Sequence, residues 1–183
     1  MKTSDLYRWS GITGIATGVV NVIVELLPEG IGQPLEMLAN ILGLWVLAAL
    51  YLRQRAASGV FGFIAYVIQS FGMVLVIGFL FTQAFVFSGL DVAQRAAVLA
   101  GSAGIATVIG LALTTIGAIL FGIASWRAGL FPKWAAFLLM IGFVIVPIGA
   151  ASAQIVKSIG EVVLSAGLIG MSYVLFSSIG DEN

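Results

Sequence analysis

The chain has 183 residues, 61% hydrophobic and only 9% charged, with a mean hydropathy of +1.15, where a water-soluble domain carries about 25% charged residues. Eight basic and eight acidic residues cancel and form no basic patch, which argues against nucleic acid as a partner. Cysteine and histidine are absent, which excludes disulfides, thiolate or imidazole metal ligation, haem held by histidine, and the usual neutral-pH acid–base group.

Six apolar runs fill the sequence, near 7–27, 35–52, 60–87, 96–126, 134–154 and 159–179. A helix needs roughly 20 such residues to cross a hydrocarbon layer about 30 Å thick. Continuous runs fit helices and not the alternating strands of a membrane barrel. The predicted fold is all-α: one integral membrane domain over 1–183, a bundle of six transmembrane helices with no cleavable signal peptide. The second run is the weakest, with Glu36 at its start. The third and fourth exceed one span, so they should tilt or run on into the interface.

The first helix carries Gly11, Gly14, Gly18, Asn21 and Glu25 at spacings of 3, 4, 3 and 4, a single seam down one face. Its glycines admit a neighbouring backbone, and the polar pair at its outer end should face protein. The segment "PEGIGQP" reads as a short loop, so helices one and two form an antiparallel hairpin. The second helix mirrors the first through Glu36, Asn40 and Gly43, and the two Asn–Glu pairs should meet near the outer end of the hairpin. Gln69 lies mid-way along the third helix, just after Tyr66. The fourth carries small and hydroxyl residues throughout: Ser102, Thr107, Gly110, Thr114, Thr115 and Gly117. In the sixth, Gln154, Lys157, Glu161 and Ser165 share a face. Lys157 and Glu161 are four apart and can pair, although Lys before Glu is the weaker order.

Charge sets the expected orientation. Lys2, Arg8, Arg53, Arg55, Arg127 and Lys133 fall on the side of the N-terminus, and Arg95 and Lys157 on the other. That asymmetry places the N-terminus in the cytoplasm, and six spans return the C-terminus there. Tyr7, Trp9, Tyr51, Trp126 and Trp134 cluster at the same interface. Glu25, Glu29, Glu36, Asp91 and Glu161 lie outside, giving an outer rim of net charge −3 with Arg95 and Lys157.

Two readings of the polar residues stand side by side. In one, Asn21, Glu25, Glu36, Asn40, Gln69, Lys157 and Glu161 line a polar chamber open to the outside, suited to a proton, a metal ion, an organic cation or another small ligand. In the other, the carboxylates sit at headgroup depth, Glu25 being about 27 Å of helix beyond Tyr7. The amides then only bridge helices, at about 0.6 kcal/mol each, and Lys157 snorkels to the interface. Gly11, Gly14, Gly18 and Gly43 read as helix-packing positions. No nucleophile–base pair is visible, so no catalytic residue, dedicated metal site or cofactor is predicted and the chain reads as a non-enzyme. Its predicted function is binding or transport of a cation or small ligand. The alternative is a non-catalytic accessory subunit in a larger membrane complex or homo-oligomer.

Two loops are alike. "YLRQRAASGVFGFIAY" (Tyr51–Tyr66) and "SWRAGLFPKWAAFLL" (Ser125–Leu139) each pass from an aromatic through Arg to a Gly–hydrophobic–Phe step. A parallel internal repeat, or Arg placement at two cytoplasmic loops, accounts for this. The stretch "SWRAGLFPKWAAFLLMIG" resembles a loop of bacterial polytopic membrane families of unknown function, which implies a prokaryotic inner membrane and no activity. The six-helix plan also resembles the substrate-binding components of energy-coupling-factor vitamin transporters. That likeness implies a ligand pocket in the outer half, and a docking face for a partner subunit at Gly14-x-x-x-Gly18.

Overall fold

The computed structural model describes residues 3–177, all of whose regular structure is helical. Lys2, Asp181, Glu182 and the last two residues of the predicted sixth span lie outside the described residues. Helix α1 runs over Thr3–Val24. The next helical stretch, Glu29–Phe81, is broken at Gly59, whose φ of 56° and ψ of −148° divide it into α2 (29–58) and α3 (60–81). That backbone region is open to almost no residue but glycine, and here it reverses the chain. Tyr51 stacks on Tyr66 with ring centroids 4.7 Å apart, and Met73 lies beside Gly43. Both pairs flank Gly59 at nearly equal distances along the chain, as in a hairpin without a loop.

Beyond α3 the chain widens into a π-type turn, Thr82–Val86, and a tight 3-10 turn, Phe87–Gly89. A short helix α4 (Val92–Ala100) follows, its start closed by reciprocal hydrogen bonds between Asp91 and Gln94. Helix α5 spans Ser102–Ala128 and stops at Gly129, which takes the left-handed conformation at φ 68°. Helices α6 (Lys133–Ser152) and α7 (Gln154–Ser177) are separated by Ala153 alone. Among the described residues Gly59 and Gly129 are the two with positive φ, and each occupies the Gly–hydrophobic–Phe step of the paired loops. Their ψ angles differ, so one reverses the chain at once and the other through a four-residue link.

Several predicted boundaries shift. The segment "PEGIGQP" is mostly helical: α2 starts at Glu29, because Pro28 suits a helix start. Pro34 falls early enough to remove a single hydrogen bond. The predicted fourth span, 96–126, is split at Gly101, where an extended backbone separates α4 from α5.

Small residues bring the helices together. A Cβ at Gly11 would lie 2.6 Å from the Phe176 backbone nitrogen, and one at Gly18 2.6 Å from Ile169 Cγ1. The α1 seam is therefore filled by α7 of the same chain, and its Gly14–Gly18 step is not a free face. Gly72, Gly110 and Gly117 join α5 to α3 in the same way, and Gly142, Gly149 and Gly167 join α6 to α7. The dry core, with Val46, Leu50, Ala65, Phe121, Ala135, Met171 and Leu175, sits toward the end of the bundle that carries Gly59. There Arg53 lies over the Tyr7 ring, Arg127 over Phe61 and Lys133 over Trp126, each about 6 Å from the centroid. The outer surface is apolar, with Phe71, Val74, Val108 and Ile148 all more than half exposed. Among the described residues four stretches are long and apolar enough to cross a membrane: Glu29–Gly89, Ser102–Ala128, Lys133–Ser152 and Gln154–Ser177. The first of these contains the reversal at Gly59.

Candidate functional site

A cavity of about 540 Å³ occupies the half of the bundle opposite the basic end. Its wall is a set of helical stripes at the 3-and-4 spacing that holds one face of a helix. Helix α1 contributes Thr17, Asn21 and Val24; α2 contributes Glu36, Asn40, Gly43, Leu47 and Leu50; α3 contributes Gln69, Met73, Val76 and Leu80. Helix α6 adds Leu139, Phe143, Val146 and Pro147, and α7 adds Gln154, Lys157, Glu161, Leu164 and Leu168. From Glu36 to Leu50 the α2 stripe rises about 21 Å, at 1.5 Å per residue. The chamber is thus long and runs well into the bundle.

All seven predicted polar residues, Asn21, Glu25, Glu36, Asn40, Gln69, Lys157 and Glu161, line this one cavity. Their mutual contacts differ from the expected ones. Lys157 does not bridge to Glu161 one turn away. Its Nζ donates to Glu25 Oε1 at 2.7 Å and lies 3.5 Å from Glu36 Oε1. The reason is the α1–α7 contact, which brings the turn after α1 over the first turn of α7. The same contact fills the rest of the Glu25 carboxylate, since Oε2 accepts from Gln154 Nε2 at 2.9 Å and from Ser158 Oγ at 2.6 Å. Burial pushes the Glu25 carboxyl up, but the hydrogen bonds from Lys157 and Ser158, the Lys157 charge and the Gln154 amide outweigh it and hold it below its ordinary value. Glu25 and Glu36 come together at the Lys157 ammonium, while Asn40 Nδ2 donates to its own helix at the Glu36 carbonyl. Gly43 also departs from expectation. It opens onto the chamber, with Met73 Cε 3.4 Å from where its Cβ would be, and closes no tight helix contact.

Polarity is layered along the cavity. Glu25, Glu29, Glu36, Gln33, Gln83, Gln154 and Lys157 ring the mouth, with Glu161, 9% exposed, lower on the α7 stripe. Asn21 and Asn40 lie beneath the mouth. Deeper still are Thr17, Gln69 and Thr114 among leucines, all three at most 5% exposed. The Asn21 and Gln69 amide oxygens and the Thr17 and Thr114 hydroxyls are buried without a hydrogen-bond partner. Unmet polar groups in an apolar wall are costly, so their convergence on one hollow marks it as a place for a polar guest.

Three wall features escape the sequence reading. Thr17 lies one turn before Asn21, and that spacing could have flagged it. Gln83 sits beyond the last regular turn of α3, where periodicity gives no signal. Pro147 interrupts α6 and cannot donate to the Phe143 carbonyl one turn back. Thr115 Oγ1 of α5 donates to that oxygen instead, at 3.1 Å. A proline within an apolar helix was the available clue.

No family model matches this chain, and no curated protein or solved structure matches it significantly. Among the described residues no cluster of histidine, cysteine, aspartate or glutamate has the arrangement of a metal site.

Proposed function

We propose that this protein is a six-span bundle of a prokaryotic inner membrane, with both termini in the cytoplasm, and that it binds or moves a cation or small ligand through the chamber in its outer half. The reading rests on one observation: a cavity of about 540 Å³ whose mouth is acidic and whose depths hold buried amide and hydroxyl groups without partners. A chamber of this size lies within the range of small-molecule sites, about 300–1,000 Å³. Orientation is supported by the charge segregation of the two ends, with arginines and aromatic rings around Gly59 and carboxylates around the mouth.

Native mass spectrometry of the protein extracted with its own lipids tests the chamber. The expected result is a retained species of defined mass that disappears in Gly43→Leu, whose added side chain occupies the hollow. An empty protein in both cases would refute the reading. A stoichiometric protein partner in its place would favour the accessory-subunit alternative. Single cysteines placed at Gly30 and Ser58 should label from outside and inside respectively, and the reverse pattern would overturn the orientation.

A further inference from the structure

Charge bookkeeping at the mouth narrows the ligand class, given the chamber reading above. Five ionisable residues line the cavity: Glu25, Glu29, Glu36, Glu161 and Lys157. Lys157 is the one cation among them, and the structure commits it to Glu25, whose two oxygens are both filled by the Lys157, Gln154 and Ser158 donors. Glu36 holds only a looser contact to the same ammonium at 3.5 Å. Glu161 sits deeper on the α7 stripe, and among the described residues no cation lies within ion-pair distance of its carboxylate. An anionic guest would meet this surplus of carboxylates in a poorly hydrated wall, where like charge is costly.

Below the mouth the wall is dominated by leucine, valine, methionine and phenylalanine side chains, which reject a guest charged along its whole length. The hollow then closes on the unpartnered Gln69 amide oxygen and the Thr17 and Thr114 hydroxyls. These are independent of the acidic mouth and are themselves buried to 95% or more. They ask for a hydrogen-bond donor at the far end of the guest.

We infer that the chamber takes an elongated organic amine: a single ammonium group between Glu36 and Glu161, an apolar body along the leucine-rich wall, and a hydroxyl or N–H at the floor beside Gln69 and Thr114. Recognition of this kind divides the work. The carboxylates select charge, the floor selects a polar terminus, and the wall contributes most of the buried area.

The test uses the full chain in phosphatidylcholine nanodiscs and three ten-carbon probes of matched length: 10-aminodecan-1-ol, decane-1,10-diol and 10-hydroxydecanoate. Thermal unfolding reads binding, because a ligand held by the folded state raises Tm. The amino alcohol should raise Tm by several degrees at concentrations where the other two do not. Glu36→Gln and Glu161→Gln should each weaken its apparent Kd at least tenfold, while Asp91→Asn, an exposed acid outside the chamber that can still cap its helix as Asn, leaves it within twofold. Should Glu161→Gln fail to fold, the half-buried Glu36 position reads the same charge dependence. Decylamine, which lacks the floor hydroxyl, should bind more weakly to the parent and equally well to Gln69→Met. If the diol or the carboxylate shifts Tm as strongly as the amine, or both Gln variants keep the full amine response, the amine assignment is wrong and the chamber reading survives. If none of the probes shifts Tm and the extracted protein carries no retained species, both fall together.

Discussion

Thr115 and Pro147 give the sharpest test of the packing. Pro147 deprives the Phe143 carbonyl of its helical donor, and the Thr115 hydroxyl supplies a replacement across the α5–α6 contact at 3.1 Å. Thr115→Val keeps the shape and removes the hydroxyl, so the loss is almost wholly polar. Interhelical hydrogen bonds in membranes average about 0.6 kcal/mol, with a maximum near 1.7. Leaving a buried acceptor unpaired costs about 1–3 kcal/mol. The expected destabilisation is therefore about 1–2 kcal/mol, toward the upper end of the membrane range because the acceptor has no second donor in its own helix. Pro147→Ala restores an N–H to α6, and in that background Thr115→Val should cost about 0.5 kcal/mol or less. The coupling in the double-mutant cycle is then about 1 kcal/mol. Reversible unfolding by sodium dodecyl sulfate in lipid bicelles, followed by circular dichroism, measures all four species. Equal costs of Thr115→Val with and without the proline would refute the argument that Thr115 serves the carbonyl that Pro147 leaves free.

Other expectations follow from the same geometry. Gly59 and Gly78 both have open space where a Cβ would go; Gly59→Ala should nonetheless destabilise by about 1–3 kcal/mol, because its φ of 56° resists any side chain. Gly78→Ala in helical backbone should be neutral or stabilise by up to about 1 kcal/mol, and like signs in the same unfolding assay would contradict the reversal at Gly59. Gly18→Leu drives a side chain into Ile169 and should cost about 1–3 kcal/mol or more, whereas Gly30→Leu, with nothing within 4 Å, should stay within about 0.5 kcal/mol of the parent. Glu25 titrates below its ordinary value of 4.5, so its stabilising contribution is complete above that pH and is lost as pH falls through the lowered value. The stability difference between the parent and Glu25→Gln should accordingly be flat above pH 5 and shrink on acidification; a difference that grows on acidification would reverse the sign of the argument.

The gathering of the polar residues was legible because each helix repeats the same 3-and-4 stripe. Glu36, Asn40 and Gly43 on α2 and Gln154, Lys157 and Glu161 on α7 share faces whatever the helices pack against. Which stripe meets which is a different matter. Local spacing pairs Lys157 with Glu161, yet Lys157 finds Glu25, distant in sequence, because the glycine seam of α1 docks on α7. Nothing within a single helix encodes that adjacency. Helix ends were also obscured. Pro28 and Gly30 read as loop residues, although Pro28 opens α2 and Gly30 lies in its first turn. The buried Gln54, whose amide finds no partner at the opposite end of the bundle, gave no sign in a stretch dominated by Arg53 and Arg55.

The reversal at Gly59 also constrains biogenesis. With no loop between α2 and α3, the two helices form one long, mostly apolar segment whose basic residues, Arg53 and Arg55, both lie near the turn. In the membrane bundle proposed above, those arginines would stand beside both helices at the turn, and positive charge beside a span opposes its transfer. On that reading the pair would enter the lipid together, joined at the glycine. Insertion of this third of the protein would then be a single event, turning on one residue that has no side chain.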